Sequence, residues 1–257
     1  MSVSVIQSRI VVGLPVQRRE PGGILSVAPA YTDTLVRFGV TPLILPLFEP
    51  SLTEDAAAPL LALCDGFLLT GSVADVHPQR YGRGDVPEGG YCDERRDALD
   101  WAILDHADSH GKPVFGICRG CQVMNVYRGG SLAWRYRDLL PDTIIEHLRS
   151  DIAADTAHTV TWAGDSWLAS QMPASLQGVN SLHRQVCDRV APSLRTAAVS
   201  EDGLIEGIED KNSPDRFFGV QWHPELLVEK SDSAAHILFD RFVHACRVAK
   251  ANPLYKF

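Results

Sequence analysis

An α/β fold, with a mostly parallel sheet covered on both faces and a more antiparallel second half, is predicted by three observations. Short runs rich in Val, Ile and Leu, bounded by Gly or Pro, recur along the first half of the chain. Segments with apolar residues at helical spacing lie between them, and after Gly129-Gly130 the pattern changes to strands parted by turns.

Taken in order, residues 9–15, 41–46, 66–70 and 112–117 read as fully buried strands. Residues 29–38, 52–64 and 95–110 read as the intervening helices, the last with Leu99, Ile103 and Ala107 on one stripe. Strands alternating with helices in this way imply parallel pairing with crossovers on both faces. In the second half, residues 158–162, 195–200, 204–208 and 216–222 are the expected strands, with Glu201-Asp202-Gly203 as one of the turns. Residues 231–250 close the chain as a helix with Ile237, Leu238, Phe242 and Cys246 on its stripe, and Asn252-Pro253 stops it. Between strand and helix, residues 71–91 form a long loop with Gly at 71, 82, 84, 89 and 90 and Pro at 78 and 87. Long ordered loops at strand ends often carry function, a surface excursion being the plainer reading.

The 257 residues, 45% of them hydrophobic, suffice to bury one core, and one domain over 1–257 is expected. A net charge of −8 argues against a nucleic-acid partner. Residues 1–10 lack a basic stretch followed by an apolar core, and no apolar run approaches the ~18 residues of a membrane span, so no membrane partner and a cytoplasmic location are expected. Six scattered cysteines in a chain of this size read as reduced thiols rather than a disulfide framework.

Chemistry concentrates where residues 113–117 run into Cys118-Arg119-Gly120, followed by a helical stretch from Cys121 to Tyr127. A nucleophile on a tight strand-to-helix turn needs glycines such as Gly116 and Gly120, because side chains there would collide where the backbone doubles back. The helix start favours thiolate over thiol, and the backbone N–H of Arg119 points to where an oxyanion would develop. The plain alternative is a small buried hydrophobe, the usual fate of a free cysteine. A thiolate nucleophile needs a proton carrier, and among nine histidines His223 stands out: it follows the buried run 218–222, Pro224 breaks the strand, and Glu225 faces the same way two residues on.

The stretches 116–122, Gly129-Gly130-Ser131-Leu132, Asn180-Ser181-Leu182-His183-Arg184-Gln185 and 219–225, in this order, resemble the γ-glutamyl hydrolase branch of the class I glutamine amidotransferases. The γ-glutamyl-γ-aminobutyrate hydrolases of peptidase family C26 are the nearest in pattern, and the resemblance spans roughly residues 9–248 with Tyr81-Gly82 and residues 202–206 also fitting. It implies a flavodoxin-like three-layer sandwich with an additional antiparallel part. It also implies Cys118 as nucleophile, His223 as general base and acid, and Glu225 as its orienting carboxylate. Gly71 would give the second oxyanion-hole N–H beside that of Arg119, a simple turn glycine being the alternative. Gln122, one helical turn beyond Cys118, would hold the glutamyl α-amino and carboxylate end. His183 and Arg184 would frame the opposite wall, unless they belong to a solvated loop.

The implied activity is release of glutamate and an amine from a small γ-glutamyl amide through a thioester, with no metal or organic cofactor, and a homodimer is the assembly entertained. Two departures stand out: Cys121 replaces a larger aliphatic residue, and Trp134, Arg135, Tyr136 and Arg137 put bulk and charge where they are expected to reshape the amine-side pocket. The main rival is a glutaminase component feeding ammonia to a separate synthase; its relatives commonly carry Leu at the position of Arg119, and no synthase domain is expected in this sequence. A second rival reads Cys118-Arg119-Gly120-Cys121 as a redox dithiol. A zinc site is not expected, since no second C-x-x-C or H-x-x-x-H completes a ligand set.

Overall fold

The computed structural model describes residues 9–173, 175–230 and 233–252. The start of the segment 1–10, the first two residues of the segment 231–250, and Pro253 therefore lie outside the described residues.

The first half builds strand and helix in alternation. β1 (Ile10–Pro15) leads through a short hairpin of β2 (Gln17–Arg18) and β3 (Leu25–Ser26) into α1 (Pro29–Arg37), then β4 (Val40–Leu45), α2 (Thr53–Ala62) and β5 (Gly66–Leu69). α3 (Glu94–His110) follows the long loop, with Asp93 accepting from Arg95 N–H at 3.1 Å as its N-cap and Gly111 in the left-handed conformation at its end. Then come β6 (Val114–Ile117) and α4 (Arg119–Tyr127).

The second half contains β7 (Ser131–Ala133), α5 (Tyr136–Leu139), β8 (His158–Trp162), α6 (Trp167–Gln171), β9 (Gly178–Val179), β10 (Val186–Arg189), β11 (Leu194–Ser200), β12 (Ile205–Asp210), β13 (Phe217–Val220) and α7 (Ala235–Ala251). Nine strands make one sheet in the order β4-β1-β5-β6-β13-β12-β11-β8-β9. β4, β1, β5, β6 and β13 run parallel, and from β13 outward each pairing is antiparallel. The mixed sheet with helices on both sides is the predicted architecture.

Alternation of side chains along the strands divides the core into two layers. Leu68, Phe115 and Ile117 join α1 and α7, through Leu35, Phe239 and Phe242, on one face. Phe67, Leu69 and Val114 join α2, α3 and α4, through Leu61, Ile103 and Met124, on the other. One strand departs from expectation: residues 41–46 were expected to be fully buried, but β4 is the sheet edge, with Thr41 and Ile44 exposed. Among the described residues, no helix is long and apolar enough to cross a membrane.

Candidate active site

β6 and β13 are hydrogen-bonded neighbours near the middle of the sheet, in register Gly116↔Gly219 and Ile117↔Val220. Cys118 leaves the end of β6 with its N–H still donating to Val220 O at 2.8 Å, and α4 begins at the next residue. It is the one non-glycine residue with positive φ (55°) among the described residues, a conformation that costs about 1–3 kcal/mol and persists only where surroundings enforce it. The two glycines allow the turn. A Cβ on Gly120 would lie 2.1 Å from Leu69 O, and one on Gly116 2.4 Å from Met124 Sδ and 2.7 Å from Cys121 N.

His223 lies just beyond the end of β13, and Asn180 clamps its backbone from both sides. Asn180 Oδ1 accepts from His223 N–H at 2.8 Å, and Asn180 Nδ2 donates to His223 O at 3.0 Å. The ring's Nδ1 donates to Glu225 Oε1 at 2.7 Å, and the Cys118 sulfur is within hydrogen-bonding reach of the same ring. Cys118, His223 and Glu225 are thus brought together. Burial works against a charged imidazole here, but Glu225 and Cys118 outweigh it and hold the His223 pKa well above its ordinary value. That value exceeds the ~6.5 of an unfolded histidine, so the protonated ring stabilises the fold fully below about pH 6.5, and the contribution is lost as pH climbs through the raised pKa. Glu225→Gln removes the charge that favours imidazolium, so the His223 pKa is expected to fall. An NMR titration of the ring protons reads this directly, and an unchanged pKa would mean that Glu225 is not its cause.

Tyr31 of α1 has no counterpart among the residues that the sequence pattern singles out. Its buried hydroxyl accepts from Gly71 N–H at 2.9 Å and lies 3.5 Å from His223 Nδ1. Burial first, then Glu225 and Cys118, raise its pKa well above normal, so it remains a neutral phenol. The Gly71 N–H, expected to face a substrate oxygen, is therefore engaged by Tyr31, and an oxyanion bound there would have to displace that hydroxyl. Gly71 itself is constrained: a Cβ would fall 2.8 Å from His223 Cε1 and 3.4 Å from Cys118 Cβ.

The cleft above these groups encloses about 640 Å³ and is lined by Gly71, Asp75, Cys118, Gln122, Arg184 and Glu225 among others. Gln122 borders it as expected, but its Nε2 donates to Gln185 O at 2.6 Å and Gln221 Oε1 at 3.1 Å. Both amide hydrogens are used inside the protein, which leaves the carbonyl oxygen as the group it has to offer. Arg184 is half-exposed and pairs with Asp75 at 3.5 Å. Burial raises the Asp75 pKa to about 6 despite the opposing charges of Arg184, Arg119 and Arg135. His183 lies in the wall, not in a solvated loop. It borders the cleft but is buried, with Nε2 3.0 Å from Ser181 Oγ, and burial with the nearby His158 and His223 lowers its pKa to about 3. It is a neutral wall residue.

Residues 134–137 were expected at the amine side and do not line this cleft. A Cβ on Gly90 would lie 2.4 Å from the Trp134 ring, Tyr136 stacks edgewise on His147, and Arg137 pairs with Glu146 at 3.2 Å. The loop 71–91 does contribute, with Ser72, Val73, Ala74 and Asp75 in the lining and Val76 N–H donating to Gln185 Oε1 at 2.9 Å.

Beneath the turn, the Arg119 side chain enters a buried charge network that sequence reasoning did not anticipate. Arg119 pairs with Asp97 and Asp100 of α3, and Arg96 Nε donates to Asp100 Oδ1 at 3.0 Å. Arg96 also donates to Thr70 O at 2.8 Å and Val16 O at 3.2 Å, joining the ends of β5 and β1 to the same helix. Cys121, by contrast, is on the buried side of α4 beside Cys187; burial and that neighbour push its thiol well above the normal range.

The peptidase C26 family model matches residues 15–225. The chain is 38% identical over 205 residues to protein NtpR of Enterococcus hirae, covering 79% of this chain and 82% of that one. It is 38% identical over 228 residues to the γ-glutamyl-γ-aminobutyrate hydrolase PuuD of Escherichia coli K12, covering 84% and 85%. A crystal structure from Thermoplasma acidophilum, described as that of a GMP synthase component, superposes with a TM-score of 0.62 over 94% of this chain and 96% of the other; at 17% identity it speaks to fold alone.

Proposed function

Because the chain belongs to the peptidase C26 family and is therefore a cysteine-dependent hydrolase, we propose that it cleaves the amide bond of γ-glutamyl amides, with Cys118, His223 and Glu225 as its triad. The observation that carries this reading is the contact chain from the Cys118 sulfur through the His223 ring to the Glu225 carboxylate on the floor of an open cleft.

In the reaction, the Cys118 thiolate attacks the γ-carbonyl carbon and the carbonyl π electrons move onto oxygen. The Arg119 N–H, the first of α4 and without a backbone acceptor among the described residues, donates to that oxyanion, and the Gly71 N–H joins it when the Tyr31 hydroxyl yields its place. His223, held by Glu225 through Nδ1, gives its other ring proton to the leaving nitrogen as the C–N bond breaks. Water then loses a proton to the same ring and attacks the γ-glutamyl thioester, which releases glutamate and restores the thiolate. Arg184 and Asp75 give the cleft charges of both signs, and Gln122 adds a carbonyl acceptor; this set suits a glutamyl α-carboxylate and α-ammonium.

Incubating the reduced protein with γ-glutamyl-γ-aminobutyrate, γ-glutamylputrescine and glutamine, and measuring glutamate, tests the reading. Turnover of an amide other than glutamine is expected and identifies the amine. Turnover of glutamine alone would instead favour a glutaminase that serves a separate synthase, and no turnover of any γ-glutamyl amide would remove the reading.

A further inference from the structure

Behind the cleft wall, three buried imidazoles converge on one carboxylate. Glu206 of β12 is fully buried, and neither of its oxygens has a hydrogen-bond partner among the described residues. Its Oε1 lies 3.6 Å from His147 Nδ1, 3.6 Å from His158 Nε2 and 3.4 Å from His183 Nε2. Burial raises the Glu206 pKa to about 7, against the pull of His158 and His147.

The far sides of two rings determine what the near sides present. His147 Nε2 is 3.1 Å from Asp202 Oδ2, and His158 Nδ1 is 3.1 Å from Thr159 O. The Asp202 carboxylate and the Thr159 carbonyl are both acceptors, so each neutral ring places its single N–H there. His147 Nδ1 and His158 Nε2 then turn lone pairs toward the Glu206 carboxylate, an arrangement relieved by a proton or a cation between them; His158 Nε2 has no hydrogen-bond partner among the described residues, and His147 Nδ1 has only the Ser181 hydroxyl at 3.2 Å, which is shared with His147 O and His183 Nε2. A carboxylate or backbone carbonyl behind each imidazole is also how proteins fix the tautomer of a metal-ligating histidine.

The spacing fits a small cation. With zinc–nitrogen and zinc–oxygen bonds of about 2.0–2.1 Å, tetrahedral donors stand about 3.4 Å apart. The donor atoms of His147, His158 and Glu206 all lie within 4.8 Å of one another, and a modest closing of the rings brings them onto one ion. Two imidazoles and one carboxylate suit zinc(II) better than magnesium or calcium, which take oxygen ligands. We propose that His147 Nδ1, His158 Nε2 and the Glu206 carboxylate form a binding site for a zinc-type divalent cation, closed on the cleft side by His183.

The donors come from separate stretches of chain, so no H-x-x-x-H or C-x-x-C spacing announces them. Such an ion would tie β8, β12 and the loop at His147 together behind residues 180–183, the segment whose Asn180 also holds the His223 backbone. Its role is to brace that wall, and no reaction step passes through it.

The test uses the full chain carrying Cys118→Ser, so that the thiol and His223 cannot capture metal together, after removal of metal with a chelator. Zinc is expected to bind at one per chain and raise the Tm. Cobalt(II) is expected to give visible d–d bands without a sulfur charge-transfer band. Asp202→Asn, which removes the carboxylate behind His147, should weaken zinc binding by roughly 10- to 100-fold, and Glu206→Gln by more. A folded protein that takes up no zinc, a cobalt spectrum showing thiolate ligation, or unchanged affinity in folded Glu206→Gln would each overturn the site. The cobalt spectrum of the parent chain decides even if a cluster variant fails to fold.

Discussion

Cys118→Ala is expected to reduce glutamate release by on the order of 10⁴-fold or more while leaving the thermal unfolding curve almost unchanged. The thiol is the nucleophile proposed to work with the His223–Glu225 pair, and without it no covalent intermediate forms. Alanine occupies the same positive-φ position with a smaller side chain, so the strain of the turn is neither relieved nor increased. Cys121→Ser is the internal control. Cys121 faces Cys187 beneath α4, away from the reacting groups, and the serine variant should keep most of the activity. Steady-state rates of the two variants on the same γ-glutamyl amide separate the readings: equal loss would restore the dithiol assignment, and an active Cys118→Ala would remove the triad.

Arg119→Leu is expected to destabilise the protein by about 3–5 kcal/mol, the usual consequence of leaving a buried carboxylate without its partner, and to lower the Tm by roughly 10 °C. Asp100 keeps Arg96, but Asp97 is left with the His77 N–H at 3.2 Å as its hydrogen-bond donor. The pH dependence has a definite sign. Burial already raises the Asp97 pKa, with Asp100 adding to it, while Arg119 opposes them. Without Arg119 the Asp97 pKa rises further, so the deficit should shrink as pH falls and Asp97 is protonated. Unfolding curves of both proteins at neutral and mildly acidic pH check this. A deficit under about 1 kcal/mol would place the network among the dispensable ion pairs. Adding Asp97→Asn should recover part of the loss.

Which parts of the molecule could be read from sequence follows from where the signals are local. Cys118 and His223 each stand at a break in a buried run, one flanked by Gly116 and Gly120, the other followed by Pro224, and such breaks are visible in a single line of residues. Tyr31, Asn180 and Asp97 act on the same site from a helix, a loop and a second helix far along the chain, with nothing in their immediate neighbours to mark them. Asn180 belongs to one of the family-like stretches, but its double clamp on the His223 backbone depends on a fold-level approach. The same limit explains β4, whose Thr41 and Ile44 look like core residues until the strand order places them at the sheet edge. The hairpin of Gln17–Arg18 with Leu25–Ser26 and the pairing of β7 with β10 are too short, or too distant in sequence, to leave a periodic trace.

The placement of the proposed nucleophile and base just past the ends of two neighbouring strands has a practical meaning for redesign. Gly116↔Gly219 and Ile117↔Val220 set the distance between the two chain ends from which Cys118 and His223 project, at the strand spacing of about 4.8 Å. Much of the rim of the cleft, including residues 72–75, Leu148, Ser150, Ala153 and residues 182–184, lies outside the strands that those rungs join. Grafting a foreign rim onto this sheet would therefore change what the cleft binds, the contacts proposed for Asp75 and Arg184 included, while the two strand ends that carry Cys118 and His223 stay in place.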